Sequence, residues 1–329
     1  MARTCANAIV VFVLMTAAAV AETAPVQPLH PVTTYSIVAY DSATGQFGAA
    51  VQSHYFKVAD VIWVEPNVGA VATQSLVDFN YGPLGLTLLR YGKTAAQTLG
   101  GLLVTDPQHQ VRQVAIVDRN GNVATHTGDK CIPYAGHYSG HHYSVQANLM
   151  RDSTVWGAMA KAFETTRGDL AERMMAALEA AEGEGGDIRG KQSAAMVVVT
   201  GKPTGLPWKD RLVDLRVDDS PEPLTELRRL LNIDRAYDHM DKGDEYIAVN
   251  DIAAANREYA LAAELAPGNP EIVFWHAVTL VEAGKVDDAL PLFKQVFAQD
   301  AAWRVLVPRL VKSDLLPDDP KLIERIVAQ

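Results

Sequence analysis

Tyr35-Ser36-Ile37-Val38-Ala39-Tyr40-Asp41, Ser42-Ala43-Thr44-Gly45 and Gln46-Phe47-Gly48-Ala49-Ala50-Val51-Gln52-Ser53 follow one another without interruption. Two runs of strand-forming residues flank a turn cluster whose glycine can take positive φ, so the segment reads as a β-hairpin. The small residues Gly48, Ala49 and Ala50 suit a strand against which another layer packs closely. Residues 61–65 and 69–74 repeat the arrangement across Pro66-Asn67, giving a second antiparallel pair.

Working outward, Tyr81-Gly82-Pro83-Leu84 opens a leucine-rich helical stretch ended at Gly92, and Thr94 opens another ended at Asp106-Pro107. Residues 113–118 and 122–126 alternate around Arg119-Asn120-Gly121, whose Asn-Gly pair is a strong hairpin signal. Residues 128–142, rich in Gly, His and Tyr, lack periodicity and read as a long irregular loop of the kind that often carries function. Residues 143–148 return to strand, 153–166 and 170–182 are helical, and 194–200 form a buried strand. Clustered hairpins with helices in pairs predict an α+β fold in which antiparallel sheets are covered by helix layers. A doubly wound parallel sheet would need strand-helix alternation.

The chain has 329 residues, 48% apolar and 21% charged, with mean hydropathy of zero, which is the profile of a folded globular protein. A net charge of −10 leaves no basic footprint for a phosphate backbone or an anionic membrane surface, so nucleic acid is not an expected partner. Arg3 precedes an apolar run over residues 8–20, and Ala19-Val20-Ala21 supplies the small-x-small pattern of a signal peptidase site. Residues 1–21 are therefore expected to be a cleaved signal peptide, leaving a periplasmic or secreted protein with no membrane attachment. An uncleaved anchor is the other reading. After cleavage Cys131 is the one remaining cysteine, so no internal disulfide is expected.

Charge and pattern change in the last third. Residues 215–329 carry 21 acids against 13 bases, whereas residues 1–214 carry 18 against 16. Ala255 and Ala289, Tyr259 and Phe293, and Gly243 and Ala277 are each 34 apart. That period and residue set resembles the tetratricopeptide repeat, in which small residues let two antiparallel helices approach and an aromatic ring fills the gap. Two units are visible, at residues 236–269 and 270–303, with capping helices expected at 223–231 and 302–311. Domains are expected at 34–217 and 224–329, joined by the linker Asp218-Asp219-Ser220-Pro221-Glu222-Pro223, with the acidic helical part serving as a docking surface for a protein or cell-wall partner.

No phosphate loop, dinucleotide fingerprint or Gly-x-Ser-x-Gly elbow is present, and no cofactor is expected. His137, His141 and His142 are close enough in sequence to share a cation, but no metal motif of strong spacing surrounds them, and the plainer reading is a polar loop. Cys131 and His137 could form a thiol-imidazole pair; the alternative is a small buried cysteine at a loop edge.

The strand motifs carry a resemblance. Thr34-Tyr35-Ser36-Ile37-Val38-Ala39, Gly48-Ala49-Ala50-Val51-Gln52-Ser53, Gly69-Ala70-Val71-Ala72-Thr73-Gln74 and Tyr81-Gly82-Pro83 are similar to the uncharacterised bacterial family DUF1028, which is assigned to the Ntn-hydrolase superfamily. Thr127-Gly128, Cys131-Ile132-Pro133, Ala135-Gly136-His137 and Tyr143-Ser144-Val145-Gln146-Ala147-Asn148-Leu149-Met150 continue the likeness in order, from Thr34 to about Pro221. Members of the family often carry a C-terminal segment associated with peptidoglycan binding, and the stretch from Pro221 through the repeats is similar to it.

The resemblance implies a four-layer αββα sandwich followed by a small all-α, TPR-like domain. It also implies a nucleophile at the first residue of a processed chain, whose α-amine, titrating near ~8, takes the proton from its own side chain. Thr34 is the matching position, and Asn148 is the expected oxyanion donor. Gln52, Ser53, Thr73, Gln74, Cys131, His137 and Gln146 are the expected pocket residues for a small amide or peptide-like substrate. A cut between Thr33 and Thr34 is required, and without it the Thr34 hydroxyl is a hydrogen-bonding group at a strand start. An exported amidohydrolase and a non-catalytic envelope protein that binds a ligand and docks a partner are the two functional readings.

Overall fold

The computed structural model describes residues 31–32 and 34–329; the expected signal peptide and Thr33 lie outside the described residues. Pro31–Val32 (β1) is followed by Thr34–Tyr40 (β2) and Phe47–Ser53 (β3), and the last two form the expected hairpin, with Thr34 opposite Ser53 and Tyr40 opposite Phe47. Ile62–Glu65 (β4) and Gly69–Leu76 (β5) form the second pair, turning through Asn67 at φ 57°. Tyr81–Arg90 (α1) and Ala95–Thr105 (α2) come next, the latter opened by a capping box between Thr94 and Gln97. Arg112–Asp118 (β6) and Val123–Thr127 (β7) form the third hairpin, followed by Gly136–Gly140 (β8) and Tyr143–Ala147 (β9).

Val155–Thr165 (α3), Leu170–Gly183 (α4), Ser193–Val199 (β10), Pro207–Asp210 (α5) and Arg211–Val217 (β11) complete the first part. One sheet runs β11-β10-β3-β2-β9-β8, and in the other β5 is flanked by β6-β7 on one side and by β1 and β4 on the other. All pairings are antiparallel.

The side-chain period of two explains the layering. In β2, Tyr35, Ile37 and Ala39 pack with α3 and α4, while Val38 joins Ala49, Val51, Ala70, Ala72, Ala115 and Val117 between the two sheets. Val71, Val114 and Ile116 point the other way, onto α1 and α2. Strands buried on both faces read as continuous apolar runs.

The irregular loop expected over residues 128–142 contains the edge strand β8. Its residues are half-exposed or exposed, so no apolar alternation marks it. Two of its glycines answer to close aromatic neighbours: a Cβ at Gly136 would lie 2.6 Å from the Trp156 ring, and one at Gly140 would lie 2.2 Å from the Tyr143 ring.

Pro223–Ala248 (α6), Ile252–Leu265 (α7), Pro270–Glu282 (α8), Val286–Gln299 (α9), Ala302–Leu310 (α10) and Pro320–Val327 (α11) form the helical C-terminal region. The 34-residue spacing marks equivalent places in two helical hairpins. Gly243 lets α6 approach the ring of Tyr259, where a Cβ would come within 2.8 Å, and Ala277 and Phe293 share a core cluster in the second.

The expected linker is held to the sheet, with Ser220 N donating to Gln192 O at 2.7 Å. The helix that follows serves two cores. Leu224, Leu227 and Leu231 of α6 pack with the six-stranded sheet and α4, while Ala236 and Ile247 pack in the helical region. Arg228 strengthens the first contact, reaching Glu172 at 2.6 Å and Glu179 at 2.9 Å.

The architecture is thus mixed α and β, with antiparallel sheets and a helical C-terminal region. Among the described residues no helix is long and apolar enough to cross a membrane.

Candidate functional site

At one end of the space between the sheets, aliphatic side chains give way to polar ones on several strands at once. Along β2 the inward series runs Val38, Ser36, Thr34; along β5 it runs Ala70, Ala72, Gln74; along β6 it runs Val117, Ala115, Gln113. Register aligns the polar ends. Ser36 lies opposite Gln146, Gln74 opposite Gln113, and Gln113 opposite Thr127. Thr34, Ser36, Gln74, Gln113, Gln146 and Asn148 are all fully buried.

Gln113 is the hub, and two backbone carbonyls set its orientation. Its Nε2 donates to Ala147 O at 2.9 Å and Gly136 O at 3.1 Å, and meets Thr127 Oγ1 at 2.9 Å. Its Oε1 must then accept, and it does so from Gln74 Nε2 at 2.7 Å and Asn148 Nδ2 at 3.0 Å. The direction propagates: Gln74 Oε1 accepts from Ser36 Oγ at 2.7 Å, and Ser36 Oγ accepts from Gln146 Nε2 at 3.2 Å. Among the described residues, two buried acceptors are left without a donor at the ends of this hydrogen-bond series, Gln146 Oε1 and Asn148 Oδ1. A buried acceptor without a donor costs about 1–3 kcal/mol, so each is a place where a donor would be held.

Thr34 sits in the middle of this cluster by its main chain. Its carbonyl oxygen receives Gln74 Nε2 at 3.0 Å and the Asn148 backbone N–H at 3.1 Å, with Asn148 Nδ2 at 3.5 Å. Its hydroxyl donates to Val32 O at 3.0 Å. The residue is fixed where the chain passes from β1, on the edge of one sheet, to β2 in the other.

The expected pocket residues divide by face. Thr34, Ser53, Gln74, Gln146 and Asn148 lie on the inter-sheet side, where Ser53 pairs with Thr34 across the hairpin. Gln52 pairs with Tyr35 and Ala194, which face α3 and α4, so it lies beneath the helices and not in the cluster; among the described residues both its amide atoms are buried without a partner. Thr73 pairs with Val114 and faces α1 and α2. A run of consecutive motif residues such as Thr73-Gln74 cannot all line one cavity, because successive strand side chains point to opposite faces.

His137 lies at the outer end of the network, its Nδ1 2.8 Å from Thr127 Oγ1. Cys131 is engaged elsewhere: its Sγ–H points to Arg112 O at 3.4 Å, and burial raises the thiol pKa, which disfavours the thiolate. His142 Nδ1 meets Gly121 O at 2.9 Å. Among the described residues no group of three or more His, Cys, Asp or Glu side chains is arranged to hold a metal ion.

Asn148 spends one Nδ2–H on Gln113 Oε1, and among the described residues its Oδ1 meets no donor. The residues missed from sequence are Gln113, Ser36 and Thr127. A signal for Gln113 existed: it heads a strand whose inward positions are otherwise Ala115 and Val117, and a glutamine on a buried face needs partners for both ends of its amide.

A family model described as a family of unknown function, DUF1028, matches residues 34–227, beginning at Thr34 itself. No curated protein matches the chain. Among solved structures, a crystal structure of a DUF1028 protein from Silicibacter pomeroyi is 31% identical, with a TM-score of 0.55, over 60% of this chain and 84% of that one. By its motifs, its matched span and this structural likeness, the chain belongs to the DUF1028 family.

Proposed function

We propose that the protein is an exported amidohydrolase of the Ntn type, with Thr34 as nucleophile once the bond before it is cut. The observation that carries this reading is the main-chain clamp on Thr34: two side-chain amides and a backbone N–H hold its carbonyl at the junction of two facing sheets. The stacking of both sheets between helix layers and a family match that starts at Thr34 support it further.

In the cut form the Thr34 α-amine takes the proton from Oγ1 as Oγ1 attacks the amide carbonyl of the substrate. The leaving amine departs with that proton, and water then hydrolyses the acyl ester on Thr34. A new buried amine needs acceptors. Asn148 Oδ1, without a partner among the described residues and on a residue whose Nδ2 lies 3.5 Å from the Thr34 carbonyl oxygen, is available as one. On this reading Asn148 is a positioning residue for the amine.

The amino-terminal segment directs export with cleavage after Ala21, and the helical C-terminal region is a TPR-like module that docks a protein or cell-wall partner. A non-catalytic ligand-binding envelope protein is the second reading, favoured by one fact: in the uncut chain Thr34 is fully buried and its hydroxyl is bonded to Val32 O. N-terminal sequencing of the purified protein, paired with an amide-hydrolysis screen, decides between them. A population beginning at Thr34 that hydrolyses amides upholds the enzyme; a uniform start at Glu22 with no hydrolysis removes it.

A further inference from the structure

The edge of β5 opposite β6 is assembled from two separate pieces of chain. β4 pairs with Gly69 through Ala72, β1 pairs with Ser75 and Leu76, and both run antiparallel to β5. Between them, among the described residues, Thr73 and Gln74 have no strand partner on that edge. Pro31 lies opposite Leu76 and Val32 opposite Ser75, so one more residue on the same extended path would lie opposite Gln74. Thr34 opens β2 in the other sheet, opposite Ser53.

The step opposite Gln74 is the one a nucleophile at Thr34 would serve. Gln74 Nε2 is 3.0 Å from the Thr34 carbonyl oxygen, and Thr34 Oγ1 is 3.0 Å from Val32 O. A chain that follows β1 and continues along β5 brings its next carbonyl to this place. Val32 is 1% exposed and packed in the inter-sheet aliphatic cluster, whereas Pro31 is exposed. A sheet edge recognises an extended peptide through its backbone, with selectivity coming from the seated side chains.

We infer that the stretch of β5 filled by Pro31 and Val32 is the acyl-side subsite of the Thr34 site, and that the substrate is a peptide-like chain lying there as an extended strand antiparallel to β5. A small aliphatic side chain takes the seat of Val32, and the place of Pro31 makes no demand. The identity of the broken bond rests on the amidohydrolase reading; the strand subsite can be tested without turnover. In the uncut chain the leader occupies this subsite in cis, at an effective concentration on the order of millimolar, and so excludes a free ligand.

The test uses the full chain carrying Thr34→Ala, which removes turnover, with and without Val32→Asp, which expels the leader because a carboxylate is costly to bury. The probe is a fluorescein-labelled Leu-His-Pro-Val-Thr amide copying residues 29–33, followed by fluorescence anisotropy, with circular dichroism to verify folding. Binding to the Val32→Asp chain is expected to be saturable and at least about tenfold tighter than to the chain with its leader seated. It should vanish when the valine of the peptide is replaced by aspartate. Equal binding to both chains, or none to the folded variant, overturns the subsite. If Val32→Asp does not fold, Val32→Gly takes its place with the same outcomes. An assay with Thr34 intact separates the two readings: amide hydrolysis that the peptide does not inhibit removes the subsite and leaves the enzyme, whereas peptide binding without hydrolysis of any amide keeps the subsite and removes the enzyme.

Discussion

Asn148 Nδ2 donates to Gln113 Oε1 at 3.0 Å, and that single contact fixes which end of the Asn148 amide is free. Because Gln113 Nε2 is held by the carbonyls of Gly136 and Ala147, neither amide can turn without facing like against like. The orientation of the whole polar cluster is therefore anchored in backbone geometry.

Gln113→Ala should destabilise the fold by roughly 2–4 kcal/mol, since it strands two backbone carbonyls and the donors of Gln74 and Asn148. Asn148→Asp should also destabilise, because a carboxylate oxygen would then face Gln113 Oε1. Urea unfolding of both variants measures the effect. Wild-type midpoints would show that the cluster is not a stabilising network.

Thr34→Ala should abolish amide hydrolysis while costing only about 1 kcal/mol of stability, the worth of its one side-chain hydrogen bond to Val32 O. Thr34→Ser keeps the hydroxyl and should retain part of the activity. Hydrolysis undiminished in Thr34→Ala would place the nucleophile on another residue.

Stability should fall as pH drops from about 6.5 to about 4, through His276. Burial against Tyr259 lowers the pKa of its imidazole from 6.5 to about 4, so across that window the unfolded chain binds a proton that the folded chain refuses. The expected loss is roughly 2–3 kcal/mol, complete once pH passes below the folded pKa. His276→Gln should flatten the profile, which denaturant midpoints measured at several pH values would reveal.

Asp234 acts in the opposite sense. Burial, with Asp238 nearby, raises its carboxyl from 3.8 to about 6, so the folded chain keeps a proton that the unfolded chain loses. Its contribution falls as pH rises through that window and is a full penalty at pH 7. Asp234→Asn should therefore stabilise the protein by about 1–2 kcal/mol at pH 7 and by little at pH 4. An equal gain at both pH values would point to a cause other than titration.

Gly243→Ala should destabilise the helical region by about 1–3 kcal/mol, because the new Cβ meets the Tyr259 ring between two helices that cannot easily part. Hydrolysis of amides should be unaffected. Thermal unfolding followed by circular dichroism gives the first value and a rate assay the second.

What could be read in the sequence was whatever periodicity carries. Three hairpins, both helix pairs and the 34-residue spacing left marks because apolar residues recur at strand or helix intervals, and turn residues such as Asn120-Gly121 punctuate them. β8 left none, since both its faces meet solvent or rings and not a packed aliphatic layer. β1 is two residues long and takes its place from a long-range pairing with β5. Of the buried polar cluster, motif likeness points to Thr34, Gln74, Gln146 and Asn148. Gln52 and Thr73 were drawn in with their neighbours, and only register and face tell them apart. Gln113 escaped because its importance lies in joining four other strands, β5, β7, β8 and β9, that sequence does not place together.

The continuity of α6 has a consequence for how the two parts of this chain can vary. At 26 residues it extends about 39 Å, and its first turns lie in the core of the sheet while its last turns lie in the helical region. Appending a unit by extending a helix, and not by a flexible tether, locks orientation to helical phase. One residue inserted or deleted between Leu231 and Ala236 would rotate everything beyond it by about 100° and shift it by about 1.5 Å. Single-residue length changes are therefore forbidden within this short span, whose residues 232–235 are all half-buried.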